Sequence, residues 1–143
     1  DGVTDVRNFG AIARTAECAG VDTILIPEQA AAAINADAVK TSAGALHKIP
    51  ICRTWNLKLS LEFLKDSGLQ LVSCTEKTTR SLYEPDFNNP TAIIMGSEED
   101  GVSPEYLKMS DFKAKIPMNG KISSLNVSVA SAIIIYEAIR QRE

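Results

Sequence analysis

Three short stretches, Thr23 to Ile26, Leu69 to Cys74 and Ala92 to Met95, are apolar almost without alternation. Antiparallel strands with one wet face alternate, whereas strands covered on both faces read as continuous apolar runs. Between these stretches the apolar residues recur at helical spacing. Phe9, Ile12, Ala13, Ala16 and Ala19 form one such face, with Asn8 as a possible cap and Gly20 as a stop. Further helices are predicted over Ala36 to Leu46, Leu57 to Lys65 and, behind Ser103-Pro104, Pro104 to Met109, with strands over Ile49 to Arg53 and Phe112 to Ile116. Alternating strands and helices define an α/β fold of three layers around a parallel sheet. In such folds ligands bind in loops beyond the carboxyl ends of the strands. Here those loops are Thr75 onward, Gly96 to Gly101 and Pro117 to Ser124.

The last element, Leu125 to Arg142, is apolar nearly all round from Val127 to Tyr136 and turns polar only at Glu137, Arg140, Gln141 and Arg142. A helix of that kind must be buried on more than one side. One sheet covers one side, so a homodimer through this helix is expected, with Val129, Ile133, Ile134 and Tyr136 as its apolar surface.

With 143 residues and 45% hydrophobic content, the chain suits one domain with a single core. No run approaches the ~20 apolar residues of a membrane span, and the first residues are polar where a signal peptide is apolar. A soluble, cytoplasmic protein with no membrane partner is expected. Cys18, Cys52 and Cys74 match neither a zinc pattern nor a disulfide framework, and are expected to be buried free thiols. The net charge of −3 argues against nucleic acid when taken alone, because phosphate binding rests on Lys and Arg releasing condensed counterions.

Three segments carry more than structure. In Asp5-Val6-Arg7-Asn8-Phe9-Gly10-Ala11-Ile12-Ala13-Arg14, Arg14 lies in a helix whose other face is apolar; spacing alone reads it as a solvated side chain. In Ile93-Ile94-Met95-Gly96-Ser97-Glu98-Glu99-Asp100-Gly101, a strand ends at a glycine, which lets backbone approach a ligand closely. Its adjacent acids lack a histidine, and contiguous residues rarely converge on one ion, so no metal is expected. In Ile116-Pro117-Met118-Asn119-Gly120 and Ser123-Ser124-Leu125-Asn126-Val127-Ser128, a loop rich in Pro and Gly precedes a long apolar helix, and polar side chains at its start need partners.

Together, in this order, these segments resemble the three signature motifs of the SpoU/TrmH family of RNA ribose 2′-O-methyltransferases, and the likeness spans essentially the whole chain. Asn8 and Arg14 match the first motif, Gly96 and Glu98 the second, Ser124 and Asn126 the third. Val6 stands where relatives usually carry Pro, and the family strand before Asp1 is missing, as in a domain cut from a longer chain. The resemblance implies an α/β knot, a deep C-terminal trefoil that holds the cofactor S-adenosyl-L-methionine with loop backbone and so needs no GxGxxG turn. Gly96, Ile116, Met118 and Leu125 are then expected around the adenosyl group, with Thr75 from the neighbouring loop; Ile116 and Leu125 also suit core packing. The implied partner is RNA, through a guanosine of large-subunit rRNA or, alternatively, a tRNA, with a separate N-terminal RNA-binding domain upstream.

The resemblance gives Arg14 the task of activating the ribose hydroxyl. An arginine is a poor proton acceptor, so its expected role is to hold the adjoining phosphate and stabilise a developing alkoxide. Asn8, Glu98, Ser124 and Asn126 would orient Arg14 and the ribose. Competing classes fit less well. A Ser-His-Asp hydrolase would have to use His47, the one histidine, which has no nucleophile motif nearby. A dinucleotide oxidoreductase needs a glycine-rich first turn that is absent. A non-catalytic RNA-binding module on the same fold is opposed by the presence of Arg14, Glu98, Ser124 and Asn126.

Overall fold

The computed structural model describes residues 1–143. In chain order the elements are α1 (Val6–Cys18), β1 (Ile24–Pro27), α2 (Ala36–Thr41), β2 (Ile51–Thr54), α3 (Leu57–Asp66), β3 (Gln70–Cys74), β4 (Thr91–Ile94), α4 (Pro104–Met109), β5 (Phe112–Ala114) and α5 (Val127–Arg142). Every strand pair is parallel, as the continuous apolar runs predict. The strands form two sheets, β1-β2 and β4-β3-β5. Ile24 lies opposite Ile51 in one, and Val72 opposite both Ile93 and Phe112 in the other.

Residues 1–3 tie the two sheets together. The nitrogen of Asp1 donates to Met95 O at the end of β4 (2.9 Å), and the Asp1 carboxylate accepts from Ser103 N (2.7 Å). On the other side, Val3 O accepts from Ala32 N beyond β1.

The core has three parts. Val72, Leu82, Phe87, Ala114, Ile134 and Ala138 pack β3 and β5 against α5; Leu57, Leu61, Leu71, Ile94 and Val102 lie on the opposite face. Phe9, Ile26, Ala32 and Ala38 join α1 and α2 to β1. Gly10 makes the last contact possible, because a Cβ there would fall 2.8 Å from both Ala38 O and Thr41 Cβ.

Several local expectations are corrected. The helix predicted over Ala36 to Leu46 stops at Thr41. Ala43 (φ 50°) and Gly44 (φ 84°) then turn left-handed, and a short 3-10 turn, Ala45–His47, comes next. α1 starts earlier than its apolar spacing shows, because Asp5 caps it by accepting from Arg7 N and Asn8 N. α5 begins at Val127 instead of Leu125, since Asn126 caps it from outside. The cysteines are not buried: Cys18 and Cys52 are exposed and Cys74 is half-buried. Cys52 sits on the face of β1-β2 turned away from α1, and α3 covers that face incompletely. Ile134 is fully buried inside its own subunit. No helix is long and apolar enough to cross a membrane.

Candidate functional site

The carboxyl ends of β3, β4 and β5 open onto one cavity of about 290 Å³. Thr75 and Cys74 come from β3, Met95 to Glu98 from β4, Ile116 and Met118 from β5, and Ser124, Leu125 and Val127 from the entrance to α5. Each edge has its own local cause. Thr75 N donates to Ala114 O, extending the β3-β5 ladder, while the Thr75 hydroxyl accepts from Lys77 N (3.1 Å) and turns the chain away. After β4 the loop folds back on itself: Gly101 N donates to Ser97 O, and Asp100 N to Ser97 Oγ. This fold-back leaves no room for a side chain at Gly96, where a Cβ would sit 1.9 Å from the Gly101 carbonyl carbon. Lys77 Nζ donates to Asp100 O (2.8 Å) and straps the β3 loop to the β4 loop.

Asn126 is the junction. Its Oδ1 accepts from Ser128 N (2.9 Å), Ser128 Oγ (2.6 Å) and Val129 N, as an N-cap does. The amide therefore has one orientation, and its Nδ2 must donate outward. It donates to Asn8 Oδ1 (3.0 Å) on α1 and to Glu98 Oε1 (2.8 Å) in the β4 loop. One side chain thus fixes three segments that are far apart in sequence. Because Asn8 Oδ1 is used, the Asn8 Nδ2 remains as a donor, and the second Glu98 oxygen remains as an acceptor.

Of the residues singled out from sequence, Thr75, Gly96, Glu98, Ile116, Met118, Ser124 and Leu125 all line the cavity. Asn126 joins them through Glu98, and Asn8 through Asn126. Arg14 does not. It is exposed, makes no ion pair, and lies about 120° round α1 from Asn8 by helical geometry. Cys74, which the motifs do not mark, also lines the cavity; burial, assisted by Glu76, pushes its thiol up to about 11. Lys77 is another residue that spacing could not reveal, because its partner is a backbone carbonyl in another loop.

A second cavity of about 340 Å³ lies between the β1-β2 sheet and α3, lined by Leu25, Cys52, Trp55, Leu59 and Phe63 among others. It holds no carboxylate, ammonium or imidazole. It has volume without acid-base chemistry, whereas the smaller cavity combines an apolar floor with a hydrogen-bonded polar rim.

Fold and site together define an α/β domain with a ligand cavity at the carboxyl edge of a parallel sheet, closed by a folded-back glycine loop. The profile of the SpoU rRNA Methylase family matches residues 1–136, and the chain belongs to that family. It is 41% identical over 142 residues to the 23S rRNA (guanosine-2'-O-)-methyltransferase RlmB of Pseudomonas aeruginosa, covering 99% of this chain and 57% of that protein. The chain thus spans little more than half the length of such relatives. Among solved structures it is similar to the SpoU methyltransferase AviRb from Streptomyces viridochromogenes in complex with AdoMet, with a TM-score of 0.92, 30% identity, and 99% and 58% of the two chains covered. It also resembles the A. aeolicus TrmH/SpoU tRNA modifying enzyme, with a TM-score of 0.90, 38% identity, and 99% and 72% covered.

Proposed function

We propose that this chain is the catalytic domain of an S-adenosyl-L-methionine-dependent RNA methyltransferase that acts on a ribose 2′-hydroxyl, that of a guanosine in large-subunit rRNA. The observation that carries this reading is the Asn126 junction, which draws Asn8, Glu98 and the entrance of α5 together beside a cavity. The relatives' names supply the reaction and the RNA. AdoMet in a structure of the same fold supplies the cofactor.

The cavity suits that cofactor. Gly96 leaves bare backbone where a Cβ could not fit, Ile116, Met118 and Leu125 offer apolar surface for an adenosyl group, and Thr75 belongs to the same wall. When bound, the cofactor supplies an electrophilic methyl group. The chain's own residues then have to place the ribose and manage one proton. Asn8 Nδ2 and the free Glu98 oxygen are a donor and an acceptor suited to ribose hydroxyls, and Ser124 adds a hydroxyl to the same cavity wall. Arg14 supplies a planar cation for the adjoining phosphate and for the charge that grows on the 2′ oxygen. The hydroxyl proton leaves to that phosphate or to water. No metal takes part.

The reading includes an α/β knot. Supporting it, Leu82 N donates to Lys115 O and Lys115 N to Arg80 O, so residues 80–82 lie across the exit of β5, close to where the chain continues toward α5. It also includes a homodimer through α5. Val129 (47%) and Tyr136 (50%) are exposed there, and Ile133 is half-buried; Ile134, fully buried, is no part of that surface. A cytoplasmic location and an upstream RNA-binding domain complete the proposal. The likeness to the A. aeolicus enzyme, which covers more of its partner's length, favours tRNA as the second substrate reading.

The test is mass spectrometry of nucleosides after incubating the protein and cofactor with an unmodified large-subunit rRNA transcript, alongside a tRNA pool. 2′-O-methylguanosine in the rRNA is expected. Methylation of tRNA alone would select the second substrate. Cofactor binding by calorimetry with no transfer to either RNA would leave a non-catalytic module.

A further inference from the structure

α1 carries two cations on its outer face. Arg7 and Arg14 are seven residues apart, two helical turns, so they lie about 20° apart round the axis and about 10 Å apart along it. Both are exposed. The four ion pairs of the chain involve Lys58, Lys65, Arg80 and Arg140, and neither α1 arginine is among them. Carboxylates are near in sequence, yet they do not neutralise the pair. Asp5 turns its Oδ1 onto the Arg7 and Asn8 backbone nitrogens (2.9 and 2.8 Å) as the helix cap. Glu17, one turn beyond Arg14, makes no bridge to it.

Arg7 also adjoins Asn8, whose side chain is hydrogen-bonded into the site through Asn126. A cation next in sequence to a group proposed to hold the ribose is placed to meet the strand that the ribose belongs to. In a chain of net charge −3, RNA affinity depends on a few well-placed cations.

We propose that Arg7 is a substrate-positioning residue that binds a backbone phosphate flanking the methylated nucleotide, forming with Arg14 a two-point phosphate clamp along α1. This rests on the proposed RNA methylation and names where the strand runs: along the outer face of α1, past Asn8, toward the cavity. Arg7 reads charge and spacing and carries no base specificity.

The experiment compares wild type, Arg7→Gln and Arg7→Lys, using the large-subunit rRNA transcript as probe over a series of salt concentrations. Arg7→Gln is expected to raise the RNA KM ~3- to 10-fold and to lower the salt slope of RNA affinity by about 0.7 to 0.9, the contribution of one phosphate contact. Turnover at saturating RNA should fall far less than affinity, and cofactor affinity should hold. Arg7→Lys should keep the slope, because it keeps the charge. An unchanged KM and slope in Arg7→Gln would overturn the clamp. So would a lowered melting temperature or a changed oligomeric state with an unchanged slope, which would assign Arg7 to the fold or to a subunit contact. Wild-type protein that binds the transcript without methylating it refutes the activity, yet leaves the slope comparison readable.

Discussion

In the β4-β3-β5 sheet the carboxyl ends of all three strands open onto one cavity, and a glycine loop folds back over it. In the β1-β2 sheet the carboxyl ends lead to Glu28 and to an exposed Trp55, and the adjoining cavity is apolar. Both sheets are parallel and both lie beside helices, so strand chemistry does not separate them. The difference lies in the loops that leave the strands. In the three-stranded half these loops converge on a cavity with polar and apolar walls. The two-stranded half contributes through the helix packed on it, since α1 brings Asn8 to the Asn126 junction and displays Arg7 and Arg14 outward. On the proposed function, one half holds the cofactor and the other presents the RNA.

The largest effect that could break this division is expected at Gly96. In Gly96→Ala the new methyl falls 1.9 Å from the Gly101 carbonyl carbon and 2.1 Å from Val102 N, both backbone, so the loop must open. Cofactor affinity should fall at least ~100-fold, about 2.7 kcal/mol, and turnover should vanish with it. Calorimetry that found wild-type affinity would show that the loop is not part of the cofactor site.

Arg14→Ala should give the complementary loss. Arg14 lies in the other half and off the cavity wall, so folding and cofactor affinity are expected to hold while turnover on RNA drops ~100-fold or more, the scale of one lost electrostatic stabiliser. Lys should rescue poorly, since it lacks the planar fork. Single-turnover kinetics decide the matter: a near wild-type rate would leave Arg14 as a solvated surface residue.

Gly10→Ala tests whether the two halves are separable in stability. Alanine favours a helix over glycine by ~1 kcal/mol. Here, however, the added methyl meets Ala38 O and Thr41 Cβ at 2.8 Å and pushes α1 off α2, an overpacking cost of ~1–3 kcal/mol. The clash includes backbone, which cannot rotate away, so a net fall in melting temperature of about 3 °C is expected. Cofactor affinity at the other half should change little. Equal damage to both would mean that the halves are one mechanical unit.

Much of this was legible in the sequence because it is local. Continuous apolar runs reported the parallel strands, and Gly96 at a strand end reported a close approach, whereas Asn126 read as part of the helix that it in fact caps from outside. Contacts between residues distant in sequence stayed hidden. Asn126 reaches Asn8 across 118 positions and Lys77 reaches Asp100 across 23, and no periodicity encodes either contact. The stop of α2 at Thr41 was signalled only by Gly44 (φ 84°), since Ala43 before it is a helix former that adopts a left-handed φ there only under its surroundings. The cysteines misled for a related reason: apolar neighbours in sequence place a residue on an element, not on that element's covered side. Likewise, spacing put Arg14 on the outer face of α1 correctly, and only the family resemblance gave it a task.

The three cysteines provide the smallest test, and they fall on both sides of the division. Cys18 on α1 and Cys52 on β2 belong to the two-stranded half and are exposed, whereas Cys74 ends β3 and lines the cavity. Burial, and next the nearby Glu76 charge, push the Cys74 thiol up to about 11. Only a thiolate is alkylated readily, so the raised Cys74 thiol reacts slowly at pH 8, and its place in the cavity wall slows access further. Alkylation and then peptide mass spectrometry should therefore show Cys18 and Cys52 modified well before Cys74. Raising the pH toward 10 should accelerate Cys74 steadily, because its thiolate fraction still climbs about tenfold per pH unit there. Saturating S-adenosyl-L-methionine should slow Cys74 further and leave the other two unchanged, since only Cys74 faces the proposed cofactor. Protection of Cys52 instead would move the ligand to the apolar cavity beside Trp55 and reverse the roles assigned to the two halves.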